Sequence, residues 1–398
     1  MMIRFLNIVS GLTIFAFVTT HLLNLSLGII SLDLLENSRP YFFEFWRFLP
    51  IEILLIAAFL CHASLAMLSL YNRNTLRLSS TDLIQLLSSL LILPLLIPHV
   101  VAIKVALIQF SIEANYRDML AVMWINMPYE GLRQVLLVMT VWIHGCLGLF
   151  TWLRLKTWWK PIAAYCYPLA VIIPTLALLG FVEAGRDAVA LKQVNSAQPP
   201  YSSTQNANHT KPLVNLYANS YATSKVKEVD AVKGVSAATI IEKVNHIASL
   251  SLYSYFALLG FVLLARQLRL QRSQASLEIH YPNGVIVNTK VGATLLETAI
   301  ANAIPHANLC HGKGRCGTCR VKIIKSSSQL SAPNSLEQAM LKKLECPADT
   351  RLACQTFATA GVIHLENLVA PDIQPSDVKA TTSLENHLAS DQNNGGVS

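Results

Sequence analysis

The sequence predicts an all-α membrane bundle of six helices followed by a small α+β domain. Two observations on composition support the membrane part: only 14% of the 398 residues are Asp, Glu, Lys or Arg, and 53% are hydrophobic. A soluble domain carries about 25% charged residues. A third observation, the change to short alternating stretches after residue 276, indicates the second domain. This composition excludes a fully soluble enzyme, a nucleic-acid-binding protein and a disordered protein as descriptions of the whole chain.

Six apolar segments are long enough to cross a bilayer, which takes about 20 mostly apolar residues. They are residues 5–29, 48–71, 83–110, 133–154, 161–183 and 247–267. We therefore assign residues 1–183 to the first five membrane helices, and residues 247–272 to the sixth helix with its basic flank. The lipid bilayer is the partner that these segments predict.

The basic residues lie beside the apolar segments, and this placement predicts the orientation of the chain. One set of flanks is rich in Lys and Arg: it holds Arg73, Arg77, Arg154, Lys156, Lys160, Arg266, Arg269 and Arg272. The opposite loops, 30–47 and 111–132, mix acidic and basic residues. Because cytoplasmic loops carry the excess of Lys and Arg, we expect a multi-pass protein with both termini in the cytoplasm. The net charge of +8 then reflects membrane topology, and we expect no nucleic-acid partner.

Two polar segments interrupt or follow these elements. Residues 184–246 are longer than an ordinary connection, and we interpret them as an external polar loop. The loop contains no cysteine, so all eight cysteines lie in the helices or the cytoplasmic part. Residues 371–398 are polar throughout, and we expect a disordered tail there.

Residues 273–370 have the pattern of a small α+β domain. The stretch SLEIHY, the turn PNG at 282–284 and the stretch VIVNTKV predict a β-hairpin. TLLETAIANA predicts a helix, with Thr294 as the N-cap and Glu297 three residues later. The stretches RVKII and VIHLENL predict two further strands.

Four cysteines of this domain predict an iron–sulfur centre. Cys310, Cys316 and Cys319 have the spacing C-x5-C-x2-C, and Cys354 follows far downstream. Thiolates are soft ligands, and a 2Fe–2S cluster takes four of them. Three of the four come from one tight loop, in which glycines supply the conformational freedom for wrapping and let backbone N–H groups approach the sulfurs. The loop contains Gly312, Gly314 and Gly317.

On these residues, the segment 276–370 resembles the 2Fe–2S ferredoxins of the β-grasp fold, with a cysteine spacing nearer to the adrenodoxin-like ferredoxins than to the plant type. The resemblance implies Cys310, Cys316, Cys319 and Cys354 as the four metal ligands. Cys346, which lies before Pro347, is the alternative fourth ligand. The alternative for the whole set is a four-thiolate zinc site, although such sites usually pair two C-x2-C motifs and only one is present.

Histidines in four consecutive apolar segments predict cofactor binding inside the membrane, because ionisable side chains there are uncommon and functional by default. They are His21, His62, His99 and His144. At 1.5 Å per residue, His21 and His99 fall at one depth, nearer the outside, and His62 and His144 at another, nearer the inside. Two opposed imidazoles ligate haem iron, so we expect one or two b-type haems. The alternative is that these histidines form hydrogen bonds between helices.

The membrane segments also resemble known families. They are similar to the six-helix anchors fused to some bacterial adenylate cyclases and, more distantly, to the cytochrome b anchors of succinate dehydrogenases and fumarate reductases. The similarity rests on SGLTIFAFVTTHLLNLSLG, FLCHASLAMLSLYNRNTLR, LLIPHVVAIK and VWIHGCLGLF, one in each of the first four helices. It implies the inner (cytoplasmic) membrane of a bacterium. Residues 371–398 cannot form a cyclase domain, so we expect no adenylate cyclase activity in this chain.

Together these features predict a membrane-bound electron carrier or oxidoreductase component. It would pass electrons between a cytoplasmic 2Fe–2S cluster and haem b in the bilayer, to or from a quinone or an unknown cytoplasmic redox partner. No glycine-rich nucleotide-binding motif is present in the sequence, so the oxidation of a pyridine nucleotide would need a partner. The alternative function is a redox-sensing signalling protein related to the cyclase anchors.

Overall fold

The protein is described by a computed structural model that covers residues 2–76, 78–110, 115–154, 156, 158–197, 237–272, 275–282 and 284–373. Among these residues, six helices are long and apolar enough to cross a membrane. They are α1 (Met2–Ser26), α3 (Leu49–Asn72), α4 (Ser80–Phe110), α6 (Pro128–Leu153), α7 (Trp159–Ala197) and α8 (Ala237–Arg272), with the short helices α2 and α5 between them. The predicted class, a six-helix membrane bundle followed by a small α+β domain, is confirmed.

Two membrane helices extend into the segment predicted as an external loop. Helix α7 continues to Ala197, and helix α8 already begins at Ala237. The helical pattern therefore persists in residues 184–197 and 237–246, although these residues are more polar than the apolar centres of the helices. Residues 198–236 of the predicted loop, residue Arg77 of the charge pattern and the predicted tail from residue 374 lie outside the described residues.

Two regions predicted as plain loops contain short helices at one end of the bundle. Helix α2 (Leu32–Trp46) begins at the N-cap Ser31, whose side chain accepts a hydrogen bond from the backbone of Leu34. Helix α5 (Tyr116–Ala121) continues into a π-helical turn, Val122–Asn126. Helix α2 buries Leu32 and Leu35 against a cluster that includes Phe181. These helices have an apolar face to bury, which the loop assignment overlooked.

The membrane helices pack in a ring. Helix α1 packs mainly against α3 and α7, α4 against α6 and α8, and α8 also against α3. The end of α1 and the middle of α7 approach until their backbones touch: a Cβ on Gly180 would overlap the carbonyl oxygen of Leu25. Small residues at such contacts are the usual basis of helix association in membranes. The four histidine-bearing helices α1, α3, α4 and α6 therefore share one interior.

The C-terminal domain contains a five-stranded mixed sheet within its described residues. The strands are β1 (Ser276–His280), β2 (Ile286–Lys290), β3 (Arg320–Ser326), β4 (Thr350–Leu352) and β5 (Gly361–Asn367), in the order β2-β1-β5-β3-β4. The pair β1–β5 is parallel and the other pairs are antiparallel. The predicted hairpin is confirmed as β1–β2, with Ile279 opposite Val287.

Two helices complete this domain. Helix α9 (Leu295–Ala301) has the predicted cap: the Thr294 side chain accepts a hydrogen bond from the backbone of Glu297, and the Glu297 carboxylate accepts one from the backbone of Thr294. Its apolar face joins the core of the sheet, with Leu295 and Leu296 buried. Helix α10 (Ser335–Lys343) buries the carboxylate of Glu337, which accepts hydrogen bonds from the Arg351 side chain and the Leu352 backbone.

The C-terminal domain packs against one end of the membrane bundle, opposite to α2 and α5. The Arg266 and Arg269 side chains of α8 donate to backbone carbonyls of the α3–α4 loop, including that of Arg73 at 2.8 Å. On its other side, this loop contacts the domain: the Asn74 side-chain amide donates to the carboxylate of Glu297 at 2.9 Å. Arg4, near the start of α1, lies close enough to Arg315 of the domain for the two cations to repel each other. The start of the chain and the C-terminal domain thus share one end of the bundle.

Candidate iron-sulfur centre and membrane histidines

The four cysteines predicted as cluster ligands lie together at one end of the sheet. Cys310, Cys316 and Cys319 belong to the loop that leads from α9 into β3, and Cys354 follows β4. All four are buried, with exposed fractions between 2% and 7%. The pairing of β3 with β4 explains why Cys319 and Cys354 come together. Arg320 lies opposite Leu352, and each is within two residues of a cysteine.

The four sulfurs form two contacting pairs. The Sγ atoms of Cys319 and Cys354 are 3.2 Å apart, and the Cys310 and Cys316 side chains hydrogen-bond to each other. Polar groups around the pairs also face the sulfurs: the Thr318 hydroxyl lies 3.1 Å from the Cys316 Sγ. The arrangement supplies two thiolate pairs in one buried site.

In each sulfur pair, one thiol has a lowered pKa and its partner has a raised one: the pKa of Cys310 and that of Cys354 are lowered, because Cys316 and Cys319 donate to them. The hydrogen bond from the Cys316 thiol lowers the pKa of Cys310 to about 5, and backbone N–H groups of the loop add to this effect, among them that of Arg315 at 3.4 Å from the sulfur. As predicted, the three loop glycines adopt positive φ, a conformation that side chains rarely adopt; they are Gly312, Gly314 and Gly317. At Gly317 a Cβ would also overlap the side chain of Leu344.

The paired geometry suits two metal ions better than one. Among the described residues, no three His, Cys, Asp or Glu side chains are close enough to hold a single metal ion. A zinc site of four thiolates needs all of them around one ion. A 2Fe–2S centre instead takes two protein ligands on each iron. The two sulfur pairs therefore fit a binuclear iron centre and disfavour zinc.

Cys346 has a different environment from the other four cysteines of the domain. It follows α10, is only partly buried, and directs its thiol toward the backbone carbonyl of Leu344 at 3.8 Å. Neither of the two sulfur pairs, Cys319 with Cys354 and Cys310 with Cys316, includes Cys346. This geometry favours Cys354 over Cys346 as the fourth ligand.

Comparison with known proteins identifies the domain. Residues 279–359 match the family described as the 2Fe-2S iron-sulfur cluster binding domain. A 2Fe-2S ferredoxin of Pseudomonas aeruginosa is 32% identical over 77 residues, which are 19% of this chain and 69% of that protein. Through its C-terminal domain, this chain belongs to the 2Fe-2S ferredoxins. The predicted family of this domain, and the cluster type that goes with it, are thereby confirmed.

Larger proteins match the ferredoxin domain as well. One subunit of the Na(+)-translocating NADH-quinone reductase of Chlamydia caviae is 30% identical over 97 residues, which are 24% of this chain and 22% of that subunit. Chlorosome protein J of Chlorobaculum tepidum is 36% identical over 78 residues, which are 20% of this chain and 35% of that protein. The chain thus spans about a fifth of the length of the reductase subunit. This chain joins six helices that are long and apolar enough to cross a membrane to a ferredoxin domain.

The structure brings together His62 of α3 and His144 of α6. Their ring centroids are 6.3 Å apart, with the rings perpendicular. Hydroxyl groups hold one nitrogen of each ring: the Ser10 Oγ lies 3.2 Å from the Nδ1 of His62, and the Ser88 Oγ lies 3.0 Å from the Nδ1 of His144. Histidines that bind metals almost always have the other ring nitrogen fixed in this way. This pair lies toward the ferredoxin end of the bundle.

His21 of α1 and His99 of α4 form the second pair. These two residues lie near each other in the half of the bundle further from the ferredoxin domain. The Nδ1 atoms of both are buried, and neither has a hydrogen-bond partner within the described residues. Phe17 stacks on the His21 ring, with centroids 5.8 Å apart. The grouping into two pairs at two depths agrees with the depths counted from the sequence.

The structure adds polar residues that the sequence analysis missed. The side chain of Gln85 contacts both ring nitrogens of His144, at 3.3 and 3.2 Å. One turn earlier on α4, the Asp82 carboxylate contacts the Nδ1 of His311, which is the residue next to Cys310. A periodic signal was present in the sequence: Ser79, Asp82, Gln85 and Ser88 recur every third residue through the start of an apolar segment.

Proposed function

We propose that this chain moves electrons across the membrane between a 2Fe–2S centre held by Cys310, Cys316, Cys319 and Cys354 and two b-type haems held by the histidine pairs. His62 with His144 would hold the haem nearer the ferredoxin domain, and His21 with His99 the more distant one. Each of these cofactors accepts and donates single electrons. The residues of this chain supply the ligands, exclude water and fix the distances.

One observation carries the proposal: the cysteine loop is docked on the same helix whose side chains hold the nearer histidine pair. His311, next to Cys310, contacts Asp82 of α4, and Gln85 and Ser88 of α4 contact His144. A redox centre in a soluble domain reaches the membrane interior only if it is held close to it. The contacts at α4 provide that proximity.

The haem part rests on how well the histidines fit an iron ion. Metal–imidazole nitrogen distances are about 2 Å, so a ring centroid separation of 6.3 Å leaves room for one ion between His62 and His144. The buried Nδ1 atoms of His21 and His99 lack partners within the described residues, which is costly for histidines that only pack. Both observations favour ligands over simple packing residues.

A quinone is the membrane acceptor or donor that we propose, and a cytoplasmic protein the other partner. The matching reductase subunit carries quinone in its name. Beside Cys354, a cleft of about 440 Å³ opens between the α3–α4 loop and the cysteine loop. That volume lies within the usual range for small-molecule sites, about 300–1,000 Å³. The cleft lies at the N-terminal end of α4, where Leu78 and Leu296 line it beside polar residues such as Asp82.

The proposed location is the cytoplasmic membrane of a bacterium, with the ferredoxin domain and the N-terminus inside. The basic residues Arg154, Arg266 and Arg269 all lie at the ferredoxin end of the bundle. Positive flanks mark the cytoplasmic side. The proposed division of the chain follows: helices in 1–183 and 247–272, an external segment at 184–246, and the ferredoxin domain at 273–370.

The test is a redox titration of the purified full-length protein in detergent, followed by optical and EPR spectroscopy. We expect one 2Fe–2S signal on reduction and low-spin b-type absorption with two midpoint potentials. His62→Ala or His144→Ala should remove one and the same midpoint, and His21→Ala or His99→Ala should remove the other.

The same histidine variants distinguish the proposed haem ligation from its alternatives. If all four single histidine variants keep both haems, the histidines are packing residues and the transmembrane part of the proposal fails. A wild-type protein with one haem would retain electron entry from the cluster but remove the relay between two haems. If the protein binds a cluster and no haem, only the electron-transfer role of the ferredoxin domain remains.

A further inference from the structure

The ferredoxin domain and α4 are joined by contacts between charged side chains. Asp82, in the first turn of α4, faces the cysteine loop with its carboxylate. It contacts the Nδ1 of His311 and accepts a hydrogen bond from Ser79 at 2.9 Å, and the Lys313 ammonium lies 3.9 Å away. His311 and Lys313 both lie between the first two cysteines of the cluster motif. One carboxylate of the membrane bundle therefore contacts two residues of the cysteine loop.

This contact is largely shielded from water, although it lies at the edge of the cleft beside Cys354. The side chains of Asp82 and His311 are only 14% and 18% exposed. Exposed ion pairs contribute little because water and salt screen them, whereas charge pairs at a shielded interface fix the position of the partners. Asp82 is thus suited to hold the loop in one place.

The same face of α4 reaches the nearer histidine pair. Gln85 lies three residues after Asp82, so both side chains project from one side of the helix. The Gln85 amide contacts the ring nitrogens of His144, and the Ser88 hydroxyl contacts the Nδ1 of the same ring. One rigid helix therefore connects the loop around Cys310 with the His144 ring over two turns.

Other contacts also attach the ferredoxin domain to the bundle. The Asn74 amide donates to the backbone carbonyl of Gly292 at 3.0 Å and to Glu297. Arg154, at the end of α6, donates to the backbone carbonyl of Leu309. These contacts attach the domain to the bundle through its backbone or through Glu297. The side chain of His311, next to Cys310, is instead contacted by Asp82 and by Ser79, whose Oγ lies 2.7 Å from the Nδ1.

We infer that Asp82 and Gln85 are positioning residues for electron transfer between the cluster and the nearer histidine pair. Asp82 holds the cysteine loop at the N-terminal end of α4, and Gln85 orients His144. This inference rests on the proposed function, since it assigns two residues that set the geometry between the proposed centres. Neither residue is a ligand, so each acts through the residue that it contacts.

The experiment uses the full-length protein with its cofactors in lipid nanodiscs. Asp82→Lys places a cation against His311 and Lys313, and Asp82→Glu keeps the charge. The matched control is Asp33→Lys, which removes another first-turn carboxylate, paired with Arg117 at 2.7 Å on the opposite end of the bundle. Docking is measured by hydrogen–deuterium exchange of residues 308–315. Transfer is measured by rapid mixing with a reductant of the cluster, followed at the haem absorption band.

For Asp82→Lys we expect an intact reduced-cluster EPR signal, faster exchange in the cysteine loop, and haem reduction slower by about tenfold or more, because a hydrogen bond to a charged group contributes enough for a tenfold change in equilibrium. Asp82→Glu and Asp33→Lys should behave as the wild type. Gln85→Leu should leave the exchange unchanged and shift the midpoint of the haem that His144→Ala removes, because the ring loses the partner that orients it.

Wild-type exchange and transfer rates in Asp82→Lys would overturn the role of Asp82, and an unchanged haem midpoint in Gln85→Leu would overturn that of Gln85. Loss of transfer in Asp33→Lys as well would also overturn the inference, since any change of charge would then suffice. The failure of the proposed function is distinguishable: if the wild-type cluster never reduces a haem, the exchange measurements still decide whether Asp82 docks the loop.

Discussion

The ferredoxin domain and the membrane bundle use apolar residues in opposite ways. In the ferredoxin domain, the side chains of Leu277, Ile279 and Ile363 are buried almost completely. In the bundle, large apolar residues such as Phe5, Val171 and Phe261 are mostly exposed on the surface that faces lipid. The buried residues of the bundle include small and polar ones, such as Ser10, Asn24 and Ser88.

The difference follows from the solvent of each region. In water, burial of apolar surface stabilises the fold by about 25 cal/mol per Å². In lipid this driving force is absent between helices, and close backbone packing and hydrogen bonds between helices take its place. The polar residues of the bundle interior therefore help to specify its structure, and two of them, Ser10 and Ser88, contact histidine rings. Substitutions that act on one region alone test this comparison.

The largest expected effect is confined to the ferredoxin domain. Replacing Cys310, Cys316, Cys319 or Cys354 by Ser should abolish the low-temperature EPR signal of the reduced 2Fe–2S centre, because each removes one of four thiolates. The membrane bundle does not depend on the cluster, so the protein should still purify as a helical membrane protein by circular dichroism. Cys346→Ser is the control and should retain the signal. Loss of the signal in Cys346→Ser, with retention in Cys354→Ser, would exchange their roles.

The next effect tests the buried charges of the ferredoxin domain. Glu337 is fully buried and accepts two hydrogen bonds from Arg351, at 2.8 and 3.1 Å. Glu337→Gln leaves the guanidinium buried without its counter-charge and should cost about 3–5 kcal/mol. The measurement is the temperature at which the cluster absorbance is lost. Lys322→Gln, which breaks a half-exposed pair with Asp349 at 3.7 Å, is the control and should cost less than about 1 kcal/mol. Equal shifts in the two variants would contradict the buried-pair argument.

A pair of matched substitutions tests whether the surface of the bundle faces lipid and that of the ferredoxin domain faces water. Phe261 in α8 and Ile324 in β3 are similarly exposed, at 68% and 62%. Phe261→Lys places a charge in lipid and should destabilise the bundle by about 3 kcal/mol, whereas Ile324→Lys faces water and should change stability by no more than about 0.5 kcal/mol. Chemical unfolding in detergent micelles, followed by tryptophan fluorescence, measures the first, and thermal loss of the cluster measures the second. Similar costs would mean that Phe261 does not face lipid.

The smallest effect concerns helix packing. A Cβ on Gly180 would overlap the backbone of Leu25, while one on Gly260 would meet nothing within 4 Å. Gly180→Ala should therefore push α1 and α7 apart and destabilise the bundle by about 1–3 kcal/mol. Gly260→Ala should leave stability unchanged or increase it, because Ala is the better helix former. Unfolding in detergent compares the two, and an equal loss in both would show that the contact at Gly180 is not limiting.

Local patterns in the sequence predicted most of the ferredoxin domain. The hairpin, the capping box at Thr294 and the cysteine spacing each depend on residues close in the chain. The two depths of the histidines also followed from counting residues along straight helices. These features were accessible because each is determined within one element or one loop.

Features that depend on distant residues were not predicted. The contact between Asp82 and His311 joins residues 229 positions apart, and neither residue is unusual on its own. Helix α2 was assigned to a loop because charged residues alternate with apolar ones in its sequence, whereas Leu32 and Leu35 pack against distant residues of α5 and α7. The period-three polar stripe on α4 was visible, but its meaning emerges only when the cysteine loop is placed beside it.

The position of β5 constrains how the protein is made. Although β5 is the last strand in the described part of the chain, it lies in the middle of the sheet, between β1 and β3. The sheet can close only after Asn367 has left the ribosome, when the membrane helices have already been synthesised. Because domains fold as units during synthesis, insertion into the bilayer precedes the maturation of the metal centre. We therefore expect the cluster to be assembled on a domain that is already tethered to the membrane helices.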